Sequence, residues 1–377
     1  MDILTGAWVP VRQNGKITHH TIAEAEKMPT IAISNNEGMA FSVFMILLGL
    51  KYCASPVKTE RFMQDERAKL GQVMHARKLL LDEPGDNTIK HNKDHFVKRG
   101  RDVGFCACCA VTGLYHNSQF SGAGGAGHYP GQLYQNILCI RTGETVGDTL
   151  RLNKVPVQPN GAFFSASKYY WLDDPADEGD CWLCGNHAPL IRRYFMQKLT
   201  KPAEVINPYS VRTLNNKRYM LTPESSDLDI LNACAPDSES AIPPEVITKK
   251  SRAGDTVLAF GTCYDNAKFV LKQTKYFTLR RYVELEPILT TTLGAMRRVL
   301  YGERDISYKT TTLVSLRKMI CDRVENGMPV DAACQEVYLT LAPPDQAPLK
   351  TLSRFVTGMH RIEKRARQWR EQRGISQ

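Results

Sequence analysis

Two Cys-x-x-Cys pairs constrain this chain more than any other feature. One lies in "VGFCACCAVTG" (Val103–Gly113), the other in "GDCWLCGN" (Gly179–Asn186), with residues 110–180 between them. Four thiolates at this spacing suit a tetrahedral structural zinc site. The nominated ligands are Cys106, Cys109, Cys181 and Cys184. Cys108 competes within the first pair, but Cys106 and Cys108 leave only one residue between ligands. A closed four-thiolate Zn2+ site keeps no position for water, so its expected role is structural rather than catalytic. The fold must then bring two distant segments side by side. The chain has 11 cysteines, an odd count. With no export signal visible at the N-terminus, the expected address is cytoplasmic, where the remaining cysteines read as buried thiols.

A length of 377 residues suggests two domains, or one large domain with an appendage, and 42% hydrophobic content can bury a sizeable core. The most apolar run, Ala40–Leu50, is too short to span a membrane and suits a buried helix. "ILTGAWVPVR" followed by "QNGK" reads as a strand entering a hairpin turn. Helices are predicted over Ala40–Ala54 and Lys58–Leu81. The basic segment Ile89–Gly104 reads as a loop, and Cys106–Tyr115 as a knuckle running into a helix. A strand, a turn and a short helix follow in "QLYQNILCIRTGETVGDTLRLN". Short strands are expected at "KRYMLTP" and "DTVLAFG". The acidic stretch between them, "PESSDLDILNACAPDSESAIPPE", reads as a surface loop or a partly disordered segment. From about Phe277 onward, four amphipathic segments separated by "YGERDI", "ENGMP" and "APPDQAP" predict a four-helix bundle. The fold class expected is therefore α+β: a mixed N-terminal domain with a zinc knuckle (residues 1–276) plus a C-terminal four-helix bundle (residues 277–377).

A net charge of +10 and a pI near 9.0 point weakly to a polyanionic partner. The last bundle segment, Lys350–Arg373, carries eight Lys/Arg and two Glu. "SGAGGAG" (Ser121–Gly127) lies between the two cysteine pairs, and its bare backbone can approach a partner closely. No Gly-Lys-Ser/Thr follows it, so it is not a phosphate-binding P-loop. No catalytic constellation is visible. His19 and His20 are adjacent, as are Asp173 and Asp174, yet neither pair sits in a recognisable motif. "KHNKDH" (Lys90–His95) is the nearest approach to a zinc-dependent nuclease signature and reads better as part of a basic loop.

The order of these features resembles the CasA (Cse) family, the large subunit of the type I-E CRISPR Cascade complex. The resemblance rests on "ILTGAWVPVR", "FCACCA", the glycine loop, "GDTLRLN", an aromatic strand before "CWLCG", and the helical C-terminal region. It extends over essentially the whole chain, which is shorter than typical members in the middle and in the bundle. It implies a non-catalytic protein that recognises the protospacer-adjacent motif (PAM) of double-stranded target DNA through the minor groove. It also implies help in opening the duplex into an R-loop with the guide crRNA. The implied partners are the crRNA-containing backbone, small and 5′-end-binding subunits, and a helicase-nuclease or a nuclease domain on another subunit. No membrane partner is expected.

The resemblance also assigns reading residues. The glycine loop maps to Gly122, Gly124 and Gly125. The lysine finger after the second knuckle maps to Lys198, with Lys201 as the alternative. The strand-turn before the bundle maps to Asn266 as a reader, with Ala267 or Lys268 at the tip of a strand-separating wedge. Lys93, Lys98, Arg99 and Arg101 match a mobile DNA-contacting loop, and Arg361, Lys364 and Arg365 would face nucleic acid from the bundle. Two departures stand out: neither wedge candidate carries the family's polar amide, and "YPG" (Tyr129–Gly131) replaces the Arg-Gly-Gly that follows the family's loop. The rival readings are a stand-alone zinc-containing DNA-binding regulator and a metal-dependent nuclease.

Overall fold

The computed structural model describes residues 2–4, 6–33, 39–53, 60–85, 89–91, 102–122, 129–156, 163–199, 206–222, 225, 227–239, 241–252, 254–265 and 268–280, with isolated positions between 319 and 336. The bundle expected from Phe277 onward therefore falls almost wholly outside the described residues.

The chain opens with a hairpin, β1 (Val9–Gln13) against β2 (Lys16–His20). Asn14 and Gly15 turn it with φ of 48° and 79°. Two successive left-handed residues are what a two-residue hairpin turn requires, and Asn-Gly supplies them at least strain. Helix α1 (Ile22–Ala25) follows, started by a capping box between Thr21 and Glu24. The apolar run becomes α2 (Ala40–Leu48), buried almost throughout, and continues into one π-helical turn over Gly49–Cys53. The helix that follows the first knuckle, α3 (Ala107–Phe120), has 14 residues. Helix α4 (Val146–Leu152) is capped by Thr145 and Asp148.

Two three-stranded antiparallel sheets flank these helices. One is ordered β10 (Lys268–Thr278), β9 (Thr256–Asp265), β4 (Leu138–Arg141). The other is ordered β3 (Gln72–His75), β8 (Arg193–Lys198), β5 (Lys168–Leu172). A second hairpin pairs β6 (Asp177–Asp180) with β7 (His187–Leu190). The core closes where α2, α3 and β9 meet. Phe260 stacks on Phe41 at 5.0 Å and meets Phe120 edge-on at 4.8 Å.

Three expectations from the sequence fail. The helix predicted over Lys58–Leu81 is replaced, among the described residues, by 3-10 turns at Glu66–Leu70 and Ala76–Leu79 around strand β3. At Gly71 the backbone runs so close to β8 that a Cβ there would sit 2.1 Å from the carbonyl oxygen of Met196. Tertiary pairing with β8 overrides the helical spacing of the apolar residues. The acidic stretch read as a loop contains helix α5 (Asp227–Cys234), anchored by buried Ile230, Leu231, Ala233 and Cys234. A last short helix, α6, spans Glu245–Thr248. "KRYMLTP" forms only isolated bridges, Arg218 to Arg212 and Met220 to Asn136.

Candidate metal centre and nucleic-acid interface

The two knuckles meet. Phe105 and Ile191 exchange backbone hydrogen bonds (3.1 and 2.8 Å), and the Trp182 amide donates to the Gly104 carbonyl (3.0 Å). The second knuckle is the tip of the β6–β7 hairpin. Gly185 there adopts φ of 75° while its amide donates to the Cys181 carbonyl at 2.7 Å. That left-handed position explains the glycine. Outside, Arg192 binds Asp177 through two bonds of 2.7 Å and Asp102 through one of 2.5 Å, tying both segments together by charge.

This framework gathers the thiols of Cys106, Cys109, Cys181 and Cys184, all buried. Cys106 Sγ and Cys184 Sγ are 3.9 Å apart. Ligands on a tetrahedral zinc with Zn–S bonds near 2.3 Å stand about 3.8 Å apart, so this pair already has the required spacing. His19 brings a nitrogen to the same place. The donor atoms of His19, Cys106, Cys109 and Cys184 all lie within 4.8 Å of one another. Cys108 sends its thiol to the Ala7 carbonyl (3.4 Å). The titrations reflect crowding. The neighbouring Cys108 thiol, then that of Cys181 and burial, push Cys106 up to about 12. Cys109 and Cys184 are also raised, chiefly by Cys106. Cys181 is lowered, because the thiols of Cys106, Cys109 and Cys184 donate to it. Buried thiols and an imidazole gathered this closely are the donor types that structural zinc takes. The donor set fits Zn2+, which would bridge the start of α3 to the β6–β7 hairpin.

Cys106 is the N-cap of α3, and every residue from Cys109 to Phe120 is buried. The helix is not apolar all round; His116, Asn117, Ser118 and Gln119 find partners, whereas the buried Tyr115 hydroxyl has none among the described residues. His116 Nδ1 pairs with Ser42 Oγ at 2.8 Å, and Gln119 Nε2 donates to the Ser165 carbonyl at 2.7 Å. Asn117 donates to the Lys78 carbonyl (3.0 Å) and accepts from the Tyr170 hydroxyl (3.1 Å). Such a network fixes the helix in rotation as well as in place. A helix of 14 residues spans about 20 Å, so whatever anchors its start also positions its far end.

The glycine loop leaves from that far end. Its stem is zipped: the Gly131 amide donates to the Ser121 carbonyl and the Leu133 amide to the Gln119 carbonyl, both at 2.7 Å. A Cβ at Gly131 would meet the Gln119 carbonyl oxygen at 2.3 Å, so this glycine is set by close approach. Two further elements converge on the stem. From β9, the Tyr264 hydroxyl donates to the Phe120 carbonyl (2.7 Å) and receives the Gly122 amide. From β5, Lys168 Nζ donates to Ser121 Oγ (3.3 Å). Lys168 stands directly opposite Lys198 in the β5–β8 register. Its amine is buried, and desolvation, then the Lys198 charge, lower it to about 8. Gly122, Lys198 and the strand leading into the β9–β10 turn thus meet at one end of α3.

The sequence of residues 58–226 matches the family described as CRISPR-associated protein Cse1. The fold is similar to CasA of Thermus thermophilus (TM-score 0.62, 15% identity, 96% of this chain and 99% of that chain covered). It is similar to Cse1 of Acidimicrobium ferrooxidans (TM-score 0.57, 12% identity, 99% and 98% covered). A chain of a CRISPR RNA-guided surveillance complex also matches (TM-score 0.59, 12% identity, 97% and 99% covered). The chain is Cse1-like, in sequence over that span and in fold over nearly its whole length. No curated protein sequence matches it.

In this Cse1-like chain, the four nominated cysteines come together, and Ser121, the residue before Gly122, is linked through Lys168 to the strand position of Lys198. Lys268 opens β10 opposite Asp265. Lys93, Lys98, Arg99, Arg101, Gly124, Gly125, Lys201, Asn266, Ala267, Arg361, Lys364 and Arg365 lie outside the described residues. Sequence reasoning misses three contributors. His19 stands in the sequence only as half of an unassigned pair. Gly131 reads there only as part of a departure from the family's pattern. Lys168 leaves a legible signal: it occupies a buried position of the alternating strand "KYYWL", in step with Tyr170 and Leu172. Among the described residues no helix is long and apolar enough to cross a membrane.

Proposed function

We propose that this chain is the large subunit of a CRISPR Cascade surveillance complex and that it reads the PAM of double-stranded target DNA at the far end of α3. One observation carries the reading: the glycine-loop stem, the Lys198 strand and the β9–β10 strand pair converge there, tied by Lys168 to Ser121 and by Tyr264 to Phe120. The match to a chain of an RNA-guided surveillance complex supports the same assembly for this chain. The division of labour is physical. Guide RNA pairs with the target strand and supplies most of the specificity, while the protein reads a short duplex signal. Bare backbone at Gly122, Gly124 and Gly125 can enter a narrow minor groove, whose degenerate pattern makes a permissive motif. Lys198, or Lys201 beyond it, would contact a groove edge or phosphate. Asn266 would read a base, with Ala267 or Lys268 wedging the strands apart as the R-loop opens. Zn2+ held by the cysteine cluster would brace the start of α3, with no part in chemistry. The chain itself would be non-catalytic and would recruit the nuclease.

Co-expression with the neighbouring subunits tests this. The complex should purify with bound crRNA and discriminate motif-bearing duplex from motif-free duplex. Asn266→Ala and Lys198→Ala should each reduce that discrimination and leave binding to complementary single strand intact. A chain that purifies alone and binds a fixed DNA site without RNA would instead be a regulator. One that cuts DNA unaided with divalent metal would be a nuclease.

A further inference from the structure

The cluster holds one donor more than a tetrahedral ion needs. His19 lies on β2, two residues after buried Ile17, so it shares the inward face of the hairpin. Its Nε2 is 4.0 Å from Cys109 Sγ, and it completes a set of four donors within 4.8 Å of one another that does not include Cys181. An imidazole and a thiolate on one tetrahedral zinc stand about 3.5 Å apart, so closing this gap takes a side-chain adjustment and no backbone rearrangement. The segment leading into the hairpin touches the knuckle independently of any ion: the Cys108 thiol binds the Ala7 carbonyl at 3.4 Å.

We propose that His19 is a fifth donor of the centre, exchangeable with Cys181. The ion is then held by four thiolates, or by His19 with Cys106, Cys109 and Cys184. Both sets are ordinary for structural zinc, one of four cysteines and the other of three cysteines and a histidine. The consequence is architectural. Through His19 the ion reaches a third segment of chain, so the N-terminal hairpin, the start of α3 and the β6–β7 hairpin share one anchor. The centre also tolerates the loss of the Cys181 thiol, which a four-ligand site does not.

This rests on the metal reading, and the test separates the two. The full chain is loaded with zinc, or with Co2+ as a spectroscopic probe whose charge-transfer band counts Co–S bonds. Cys181→Ser should keep one equivalent of metal with the band of three Co–S bonds. His19→Ala should keep one equivalent with the band of four. The double variant, Cys181→Ser with His19→Ala, should lose metal to a chelator that leaves either single variant loaded. Cys181→Ser with His19→Cys should recover the fourth Co–S bond. A Cys181→Ser protein as empty as the double variant overturns the proposal. So does a double variant that stays loaded, or a His19→Cys change that adds no Co–S intensity. A wild-type chain that takes up no metal defeats the underlying metal reading instead.

Discussion

Lys168 shows most directly how a single residue would serve the proposed interface. Its amine titrates near 8 in the folded chain against 10.5 when free. The unfolded state therefore binds more protons between these values, and stability rises with pH across about 8 to 10.5. Below pH 8 the buried charge opposes folding by about 3 kcal/mol, offset in part by roughly 1 kcal/mol from its bond to Ser121. Lys168→Met should accordingly stabilise the fold at pH 7 by roughly 2 kcal/mol in urea unfolding, flatten the rise above pH 8, and weaken motif-duplex binding. A stable variant with undiminished DNA binding would assign the lysine no part in the loop stem. The cysteines set a second pH dependence. Cys106, Cys109 and Cys184 are raised and protonated in the metal-free chain, so loading an ion must displace their protons. Metal affinity should fall as pH drops from about 8 to about 6, and competition with a chromophoric chelator measures it.

At the scale of elements, α3 joins the thiol cluster to the glycine-loop stem, and its own chemistry predicts acid sensitivity. Burial, then the Lys272 charge, hold His116 well below 6.5, so it stays neutral when folded. Once the pH falls below about 6.5 the unfolded chain takes up a proton that the folded chain refuses, and stability drops by up to about 1.4 kcal/mol per pH unit. His116→Gln should reduce that slope in acid denaturation. Gly131→Ala should destabilise by roughly 2 kcal/mol or more, because the Gln119 carbonyl occupies the space of the new methyl group. The N-terminal hairpin, the apolar helix α2 and the knuckle running into α3 are legible in the sequence because each rests on local chemistry: Asn14-Gly15, an unbroken apolar run, and the cysteine spacing. The region around β3 is not legible, because Gly71 and Gln72–His75 answer to β8, more than a hundred residues away in the chain. Helix α5 hides inside acidic composition, since Ile230, Leu231 and Cys234 are buried by contacts that no local window contains. At the site, the cysteines can be nominated from their spacing and Lys198 from the family resemblance, whereas His19 and Lys168 are brought to their places by strand register.

At the scale of the whole molecule, the proposed anchor and the proposed reader are separate. The thiol cluster sits at one end of α3 and the convergence of loop stem, lysine strand and β9 at the other, so the proposed ion would act on recognition through the helix rather than by touching the loop. Replacing Cys181 and Cys184 together by Ser leaves three of the five donors. This variant should lose the metal, lower the melting temperature and loosen motif recognition in proportion. Phosphate contacts should make duplex binding fall steeply with salt, and Lys198→Ala should reduce that slope by about one unit. The most direct measurement is hydrogen–deuterium exchange of the RNA-loaded complex with and without motif-bearing duplex. New protection is expected at residues 119–122 and 129–133 and across the β9–β10 turn, absent with motif-free duplex. Protection confined to other surfaces, with the loop stem exchanging as before, would contradict a reader at the far end of α3.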